Sequence, residues 1–346
     1  DHPGGEAVAL PELREIAAQM PAVGRALLAL HRRNVEATQQ LEALALQLGD
    51  GRADMPALRP MAFEMVRDFF FAHQNYFNEV DVAAEALAAQ AQSQGAALAQ
   101  WLIERLAQQH SVRAIPVPDG TGSSHRHYDP STRVLRFSAT LAPGPLVFQL
   151  ATQLALLEHS ALLDALIDTM PLGQDPQART LARIGLANYF AGAVLLPYGA
   201  FLAAAEALHY DIDLLSRRFG VGFETVCHRL SSLQRPGAPG LPFFFIRIDR
   251  AGNISKRQSA THFHFSKTGS TCPLWNVYEA FSQPGKILPQ IARMPDGRSY
   301  LWIARTVSNG QGGYGAPSKT FSVALGCDIR HAHRLVYARA LNLDDP

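Results

Sequence analysis

The stretch HFHFSKTGSTCPLWNVYEAF, residues 262–281, sets a cysteine between two hydroxyls and a proline, directly before a helical pattern. Cys272 there can act as a nucleophile if a histidine holds it as thiolate. His262, His264, His331 and His333 are candidate bases, although the sequence alone brings none of them to the sulfur. The same residues suit a second chemistry. Pro273 fits the first turn of a helix, because it has no N–H to leave unpaired and its φ is preset. Ser270 or Thr271 can cap that helix and Gly269 frees the loop. Backbone N–H groups and the positive helix end would then face an anion, with Lys267 nearby. A phosphate or carboxylate fits this better than a covalent step, and a helix that is merely well capped fits it equally.

SVALGCDIRHAHRLVYARAL, residues 322–341, echoes the arrangement, running from strand through Gly-Cys into a helix capped by Asp328. Arg330, His331, His333 and Arg334 crowd its first turns, so the two turns could face one elongated, multiply charged ligand. Zinc hydrolysis is a third possibility. It needs HExxH, two histidines sharing a helix face with a glutamate as base. The helix after Pro143 and Pro145 offers Gln149, Leu150 and Gln153 at those positions, and residues 180–199 contain no Asp, Glu or His as a third ligand. Its partner helix, ANYFAGAVLLP at 187–197, resembles the second helix of the zinc-peptidase-like domains of IrrE and ImmA proteins. The resemblance implies a retired peptidase scaffold. LLSRRFGVGFETVCHRLSSL, residues 214–233, resembles a helix-turn-helix in which Glu224, Thr225, His228 and Arg229 could read DNA. Acidic Glu224 and few neighbouring cations make it poor phosphate bait, which favours a structural role.

Positioning these groups takes more than one domain, and 346 residues suffice for two or three. With 47% apolar and 18% charged residues the chain reads as globular, with neither a membrane-helix pattern nor a signal sequence at DHPGGEAVALPEL, which points to the cytoplasm. Residue 1 is not Met, so something is expected upstream. Three cysteines without CxxC spacing form no disulfide framework or zinc motif. Net charge is +1, unevenly spread: from Arg247 onward there are 13 Lys and Arg against 6 Asp and Glu, and all four lysines lie there. That asymmetry suggests an anionic ligand for the C-terminal part, or simply a basic surface.

Residues 7–48 carry helical apolar spacing suited to joining subunits, and MAFEMVRDFFFAHQNYFNEVDVAAEALAAQ reads as helix throughout. SVRAIPVPDG and HYDPSTRVLRFS read as strands, followed by three helices. After PGAPG at 236–240, FFFIRIDRAGNISKRQ, KILPQIARMPDGRSYLWIARTV and KTFSVALG are strand-like. The expected fold is α+β, predominantly α. A helical linker and oligomerisation segment spans 1–82, a peptidase-like α/β domain 83–238, and an α+β ligand-sensing domain 239–346.

GSTCPLWNVYEAF, QPGKILPQIARMPDGRSYLWIARTV and LGCDIRHAHRLVYA, in that order, resemble the C-terminal domain of the short-chain fatty acyl-CoA regulators, bacterial transcription factors of the XRE type. RDFFFAHQNYFNEVDVAAEAL and ANYFAGAVLLP extend the resemblance to about residues 62–341. It implies a regulator, not an enzyme, that senses a short-chain acyl-CoA such as propionyl- or acetyl-CoA, needs no metal or other cofactor, and binds operator DNA through an upstream head that these residues lack. A homodimer or homotetramer is expected. On this reading Lys267, Gly269, Ser270, Thr271, Arg293 and Arg305 contact phosphates or pantetheine amides, while Trp275, Tyr300 and Trp302 border the acyl or adenine end and Cys272 lines the pocket. Arginine suits phosphate through its bidentate fork, and Trp and Tyr join apolar area to one donor. The alternatives are a Cys- or metal-dependent hydrolase of thioesters or peptides, and a protein-interaction scaffold.

Overall fold

The glycine-free aromatic stretch forms two helices, α1 (Ala62–Ala72) and α2 (Asn78–Ser93), where one was expected. The chain turns through Gln74 and Asn75, at φ 51° and 57°, which lets Phe69 and Phe70 meet Phe77 at 5.1 and 5.0 Å. Burial of those rings against one another is the physical reason for the break. The computed structural model describes residues 62–94, 97–118, 126–169, 175–260, 275–294, 297–309 and 319–343, with Met20 and Ala22. Apart from Met20 and Ala22, the expected helices at 7–48 lie outside the described residues.

After α3 (Leu98–His110) come three short strands, β1 (Arg113–Val117), β2 (Arg126–Asp129) and β3 (Val134–Ser138). β3 is central, parallel to β1 and antiparallel to β2. The apolar run that follows bends by 75° at His159 into α4 (Pro143–Glu158) and α5 (Ser160–Asp168), which turns Leu163 and Ile167 into the core. Asp175 then caps α6 (Pro176–Leu195), accepting from the Gln177 N–H at 2.8 Å. Next come α7 (Tyr198–Ala207), α8 (Ile212–Phe219) and α9 (Phe223–Leu230). Gly220, at φ 66°, occupies the left-handed corner between the last two.

The C-terminal strands are β4 (Phe244–Asp249), β5 (Ile254–Ser259), β6 (Leu288–Arg293), β7 (Ser299–Asn309) and β8 (Lys319–Asp328), with the single turn α10 (Asn276–Glu279) between β5 and β6. They form an antiparallel sheet in the order β5-β4-β8-β7-β6. Period-two alternation divides it cleanly. Phe243, Phe245, Leu301, Ile303, Val323, Leu325 and Cys327 pack on one side against α7, α8 and α9. Phe244, Tyr300, Trp302, Ala304, Ala324 and Gly326 belong to the other side. Two 3-10 helices, Ile329–Arg334 and Val336–Ala340, follow where one helix was expected, with Asp328 accepting from the Arg330 N–H at 3.0 Å. All helices and strands described belong to one compact unit, and the fold is α+β. Among the described residues no single helix is long and apolar enough to cross a membrane.

A buried polar network ties this unit together. Arg229 on α9 donates to both oxygens of Asp81 on α2, at 2.7 and 3.1 Å, and to the Leu196 carbonyl at 2.9 Å. The Tyr189 hydroxyl donates to the same carboxylate at 2.5 Å. Asp81 and Arg229 are 0% and 3% exposed. Burial opposes the charge on Arg229, but Asp81 outweighs it and holds the guanidinium above its ordinary pKa. Arg235, just before the PGAPG segment, bonds Glu85 at 2.6 Å and the Tyr76 hydroxyl at 2.9 Å, and stacks over Tyr198. Isolated from sequence, Asp81 was only one acid in a helical run.

Candidate functional site

On the side of the C-terminal sheet away from α7–α9, aromatic rings form a continuous ribbon. Tyr300 meets Phe244 at 5.6 Å, Phe244 meets Trp302 at 4.5 Å, and Trp302 meets Trp275 edge-on at 4.4 Å. Tyr278 follows at 6.2 Å from Trp275. Such pairs contribute about 0.5–1.5 kcal/mol each beyond their buried area. Register explains the alignment: Phe244, Gly326, Trp302 and Gln290 face one another across β4, β8, β7 and β6. Gly326 has a steric duty here. A Cβ on it would lie 2.2 Å from the Phe244 ring.

Alternation also separates residues that the sequence reading grouped. Trp275, Tyr300 and Trp302 share the ribbon. Arg305, three residues beyond Trp302, projects to the opposite side, where it donates to Asp213 at 2.6 Å and lies over Phe223. Arg293 pairs with Ser299, of the same parity as Leu301, and is exposed at the strand end. Neither arginine joins the aromatic side. Arg257 does, since it faces Ile246 next to the Phe244 row. Burial pulls its pKa below the ordinary value and Arg67 pushes the same way, with Glu64 and Asp68 opposing. Lys267, Gly269, Ser270, Thr271 and Cys272 lie outside the described residues.

The anion-receiving helix end expected after Pro273 is not formed by the described part of that segment. α10 is one turn, and its first N–H, on Asn276, donates to Gln290 Oε1 at 2.8 Å. The Asn276 carboxamide is pinned as well, with Nδ2 donating to the Leu288 and Trp302 carbonyls at 2.8 and 3.3 Å. Its Oδ1 is buried without a partner among the described residues, as is the indole N–H of Trp275. An unpaired buried polar atom costs about 1–3 kcal/mol. The cations after β8 lie elsewhere: Ala332, Leu335 and Ala338 pack into the core on the other side of the sheet, and Arg334 pairs with Glu206 at 2.5 Å. The first of the two strand-to-helix turns lies outside the described residues. His209, His333 and Arg339 instead border a surface recess of about 260 Å³.

The rival chemistries find little support in the described geometry. Burial pushes the Cys327 thiol up to about 12 and that of Cys227 well above its usual range, so neither is a thiolate near neutral pH. On α4, Leu150 is in the core and Gln153 accepts from Arg126 at 2.8 Å. A guanidinium thus occupies polar space beside the positions where a divalent cation would be held. The α8–α9 pair has helix-turn-helix layout, but Glu224 pairs with Arg247 and Lys256 and Arg229 is buried, so α9 is committed to the fold.

His228 is held neutral by burial, and by Lys256, Arg229 and Arg247, with its pKa pushed down to about 3. The unfolded chain binds a proton there near 6.5 and the folded chain does not. Stability contributed by neutral His228 is therefore complete above about 6.5 and falls as pH drops toward 3, by up to about 1.4 kcal/mol per pH unit. Urea midpoints between pH 7 and 4.5 should fall less steeply in His228→Phe than in the parent.

Comparison with known proteins agrees with this architecture. The family model described as "Short-chain fatty acyl coenzyme A regulator, C-terminal" matches residues 232–346, and the "IrrE N-terminal-like domain" matches residues 107–231. The chain is 50% identical over 340 residues to "HTH-type transcriptional regulator PrpR" of Mycobacterium tuberculosis, covering 98% of this chain and 70% of the relative. It is 44% identical over 337 residues to "Propionyl-CoA carboxylase regulator" of Cereibacter sphaeroides, covering 96% and 70%. A solved structure described as "Mycobacterium tuberculosis transcriptional regulator" superposes with a TM-score of 0.78 at 53% identity, over 83% of this chain and 87% of the other. The chain belongs to the short-chain fatty acyl coenzyme A regulator family, a family of transcriptional regulators and not of enzymes.

Proposed function

We propose that this chain is the sensing core of a transcriptional regulator and binds a short-chain acyl-CoA, of the propionyl or acetyl class, against the aromatic side of its C-terminal sheet. The observation that carries the reading is the Tyr300–Phe244–Trp302–Trp275 ribbon, with Arg257 on the same side. An apolar acyl group or an adenine packs well against such rings, and Arg257 places a guanidinium on the same side of the sheet. Arg257 takes the role first assigned to Arg293 and Arg305. Lys267, Gly269, Ser270 and Thr271 remain the proposed polar contacts and Cys272 a lining residue.

Operator DNA is contacted through a helix-turn-helix outside these residues, since α9 spends its polar side chains inside the fold. Control of carbon and propionate metabolism genes then follows by population shift: the ligand prefers one arrangement of a homodimer or homotetramer and biases the spacing of its DNA-binding heads. The helical segment 1–82 serves that assembly, 83–238 is scaffold, and 239–346 holds the ligand. A cytoplasmic location goes with that role.

Propionyl-CoA at one hundred times its dissociation constant should stabilise the protein by about 2.7 kcal/mol, raising its melting temperature by several degrees. Free CoA thiol, followed in the same sample, should not accumulate. Arg305→Ala should keep the shift and Trp302→Ala should lose it. Thiol release that disappears in Cys272→Ala would overturn the sensor in favour of a hydrolase, and an unchanged melting temperature would leave a protein-interaction scaffold.

A further inference from the structure

Two consecutive residues at the end of the aromatic ribbon each bury one polar atom that finds no partner among the described residues. Trp275, 9% exposed, has an indole N–H without an acceptor, and Asn276, 5% exposed, has a carboxamide oxygen without a donor. Neither is free to turn and find a partner. The Asn276 amide is oriented by two carbonyls, those of Leu288 and Trp302, which claim its Nδ2 and leave Oδ1 directed away from them. Exchanging O and N would put a carbonyl-like oxygen against two carbonyls. The Trp275 ring is fixed by its edge-on contact with Trp302 at 4.4 Å. A fixed donor and a fixed acceptor, on consecutive residues, thus stand where α10 meets β6 and β7.

A phosphate ester is a poor occupant for this pair, because it is largely ionised at neutral pH and would press an acceptor oxygen against Asn276 Oδ1. A sulfide or an alkyl group would leave both atoms unpaired. A secondary amide brings one carbonyl and one N–H, matching both. We infer that Trp275 and Asn276 recognise the amide-bearing pantetheine segment of the ligand, the indole N–H donating to an amide carbonyl and Asn276 Oδ1 accepting from an amide N–H. This rests on the acyl-CoA reading and assigns one part of that ligand to one part of the site. The phosphates are left to the cations, and the rings are left to the acyl or adenine end.

The test separates the inference from the reading beneath it. Isothermal titration of the full chain is made with propionyl-CoA, with pantetheine and with adenosine 3′,5′-bisphosphate, on the parent and on Trp275→Phe, which keeps a ring against Trp302 and removes the N–H. The expected result is about tenfold weaker binding of propionyl-CoA and pantetheine by the variant, with the bisphosphate unchanged. A second arm leaves the protein untouched: pantetheine methylated on its amide nitrogens loses the N–H groups and should bind the parent about tenfold more weakly than pantetheine. Equal binding in both arms would overturn the inference while leaving the acyl-CoA reading intact, and would mean that only water meets these atoms. No binding of propionyl-CoA by the parent would overturn both.

Discussion

Asp81→Ala should destabilise the protein by about 3–5 kcal/mol, the range for removing one partner of a buried ion pair. Arg229 would keep its charge at 3% exposure with no carboxylate to meet it, and the Tyr189 hydroxyl would lose its acceptor. For a unit of this size, each kcal/mol moves the melting temperature by roughly 2–4 °C, so a fall of about 10 °C is expected. The double replacement Asp81→Leu with Arg229→Met should recover most of that loss, since well-packed apolar residues replace buried pairs at little cost. Urea unfolding of the three proteins would check this. A loss below 1 kcal/mol in Asp81→Ala would mean that the network does not join α2 to α9 as described.

Gly326→Ala carries the second large effect, and it reaches the ligand as well as the fold. The new methyl would sit 2.2 and 2.4 Å from two atoms of the Phe244 ring, far inside contact distance, and the Leu301 carbonyl bounds it on another side at 3.1 Å. Phe244 must therefore shift, and its neighbours Trp302 and Tyr300 shift with it. Overpacking of this kind costs about 1–3 kcal/mol. Propionyl-CoA should no longer raise the melting temperature of the variant, because the ribbon it lies on is displaced. Adding Phe244→Leu, which shortens the obstructing side chain, should restore stability more fully than it restores binding.

Much of this was legible in the chain. Helix α6 followed from ANYFAGAVLLP, with Pro197 ending it, and the C-terminal strands followed from alternating apolar residues between Gly and Asp turns. The absence of HExxH chemistry was readable from Gln149, Leu150 and Gln153 alone. Parity was equally readable: Trp302 and Arg305 are three residues apart on one strand, so they cannot share a side. By contrast, the position of Arg293 depended on how β6 registers against β7, which no local pattern encodes.

What stayed hidden is long-range. Asp81 and Arg229 are 148 residues apart, and nothing in either neighbourhood marks them as partners. Phe244 was one of three phenylalanines in a strand, and only the pairing with Gly326 made it the centre of the ribbon. Two helices were expected to run longer than they do. The strongly apolar stretch at 146–167 conceals the bend at His159, and the aromatic stretch conceals the turn at Gln74 and Asn75.

On the proposed function, the aromatic side of the C-terminal sheet holds a short-chain acyl-CoA. Native mass spectrometry of the full chain mixed with propionyl-CoA tests it most directly. One intact thioester bound per chain is expected, absent in Trp302→Ala and retained in Arg305→Ala. An adduct that survives Trp302→Ala unchanged, or no adduct on the parent protein, would contradict it.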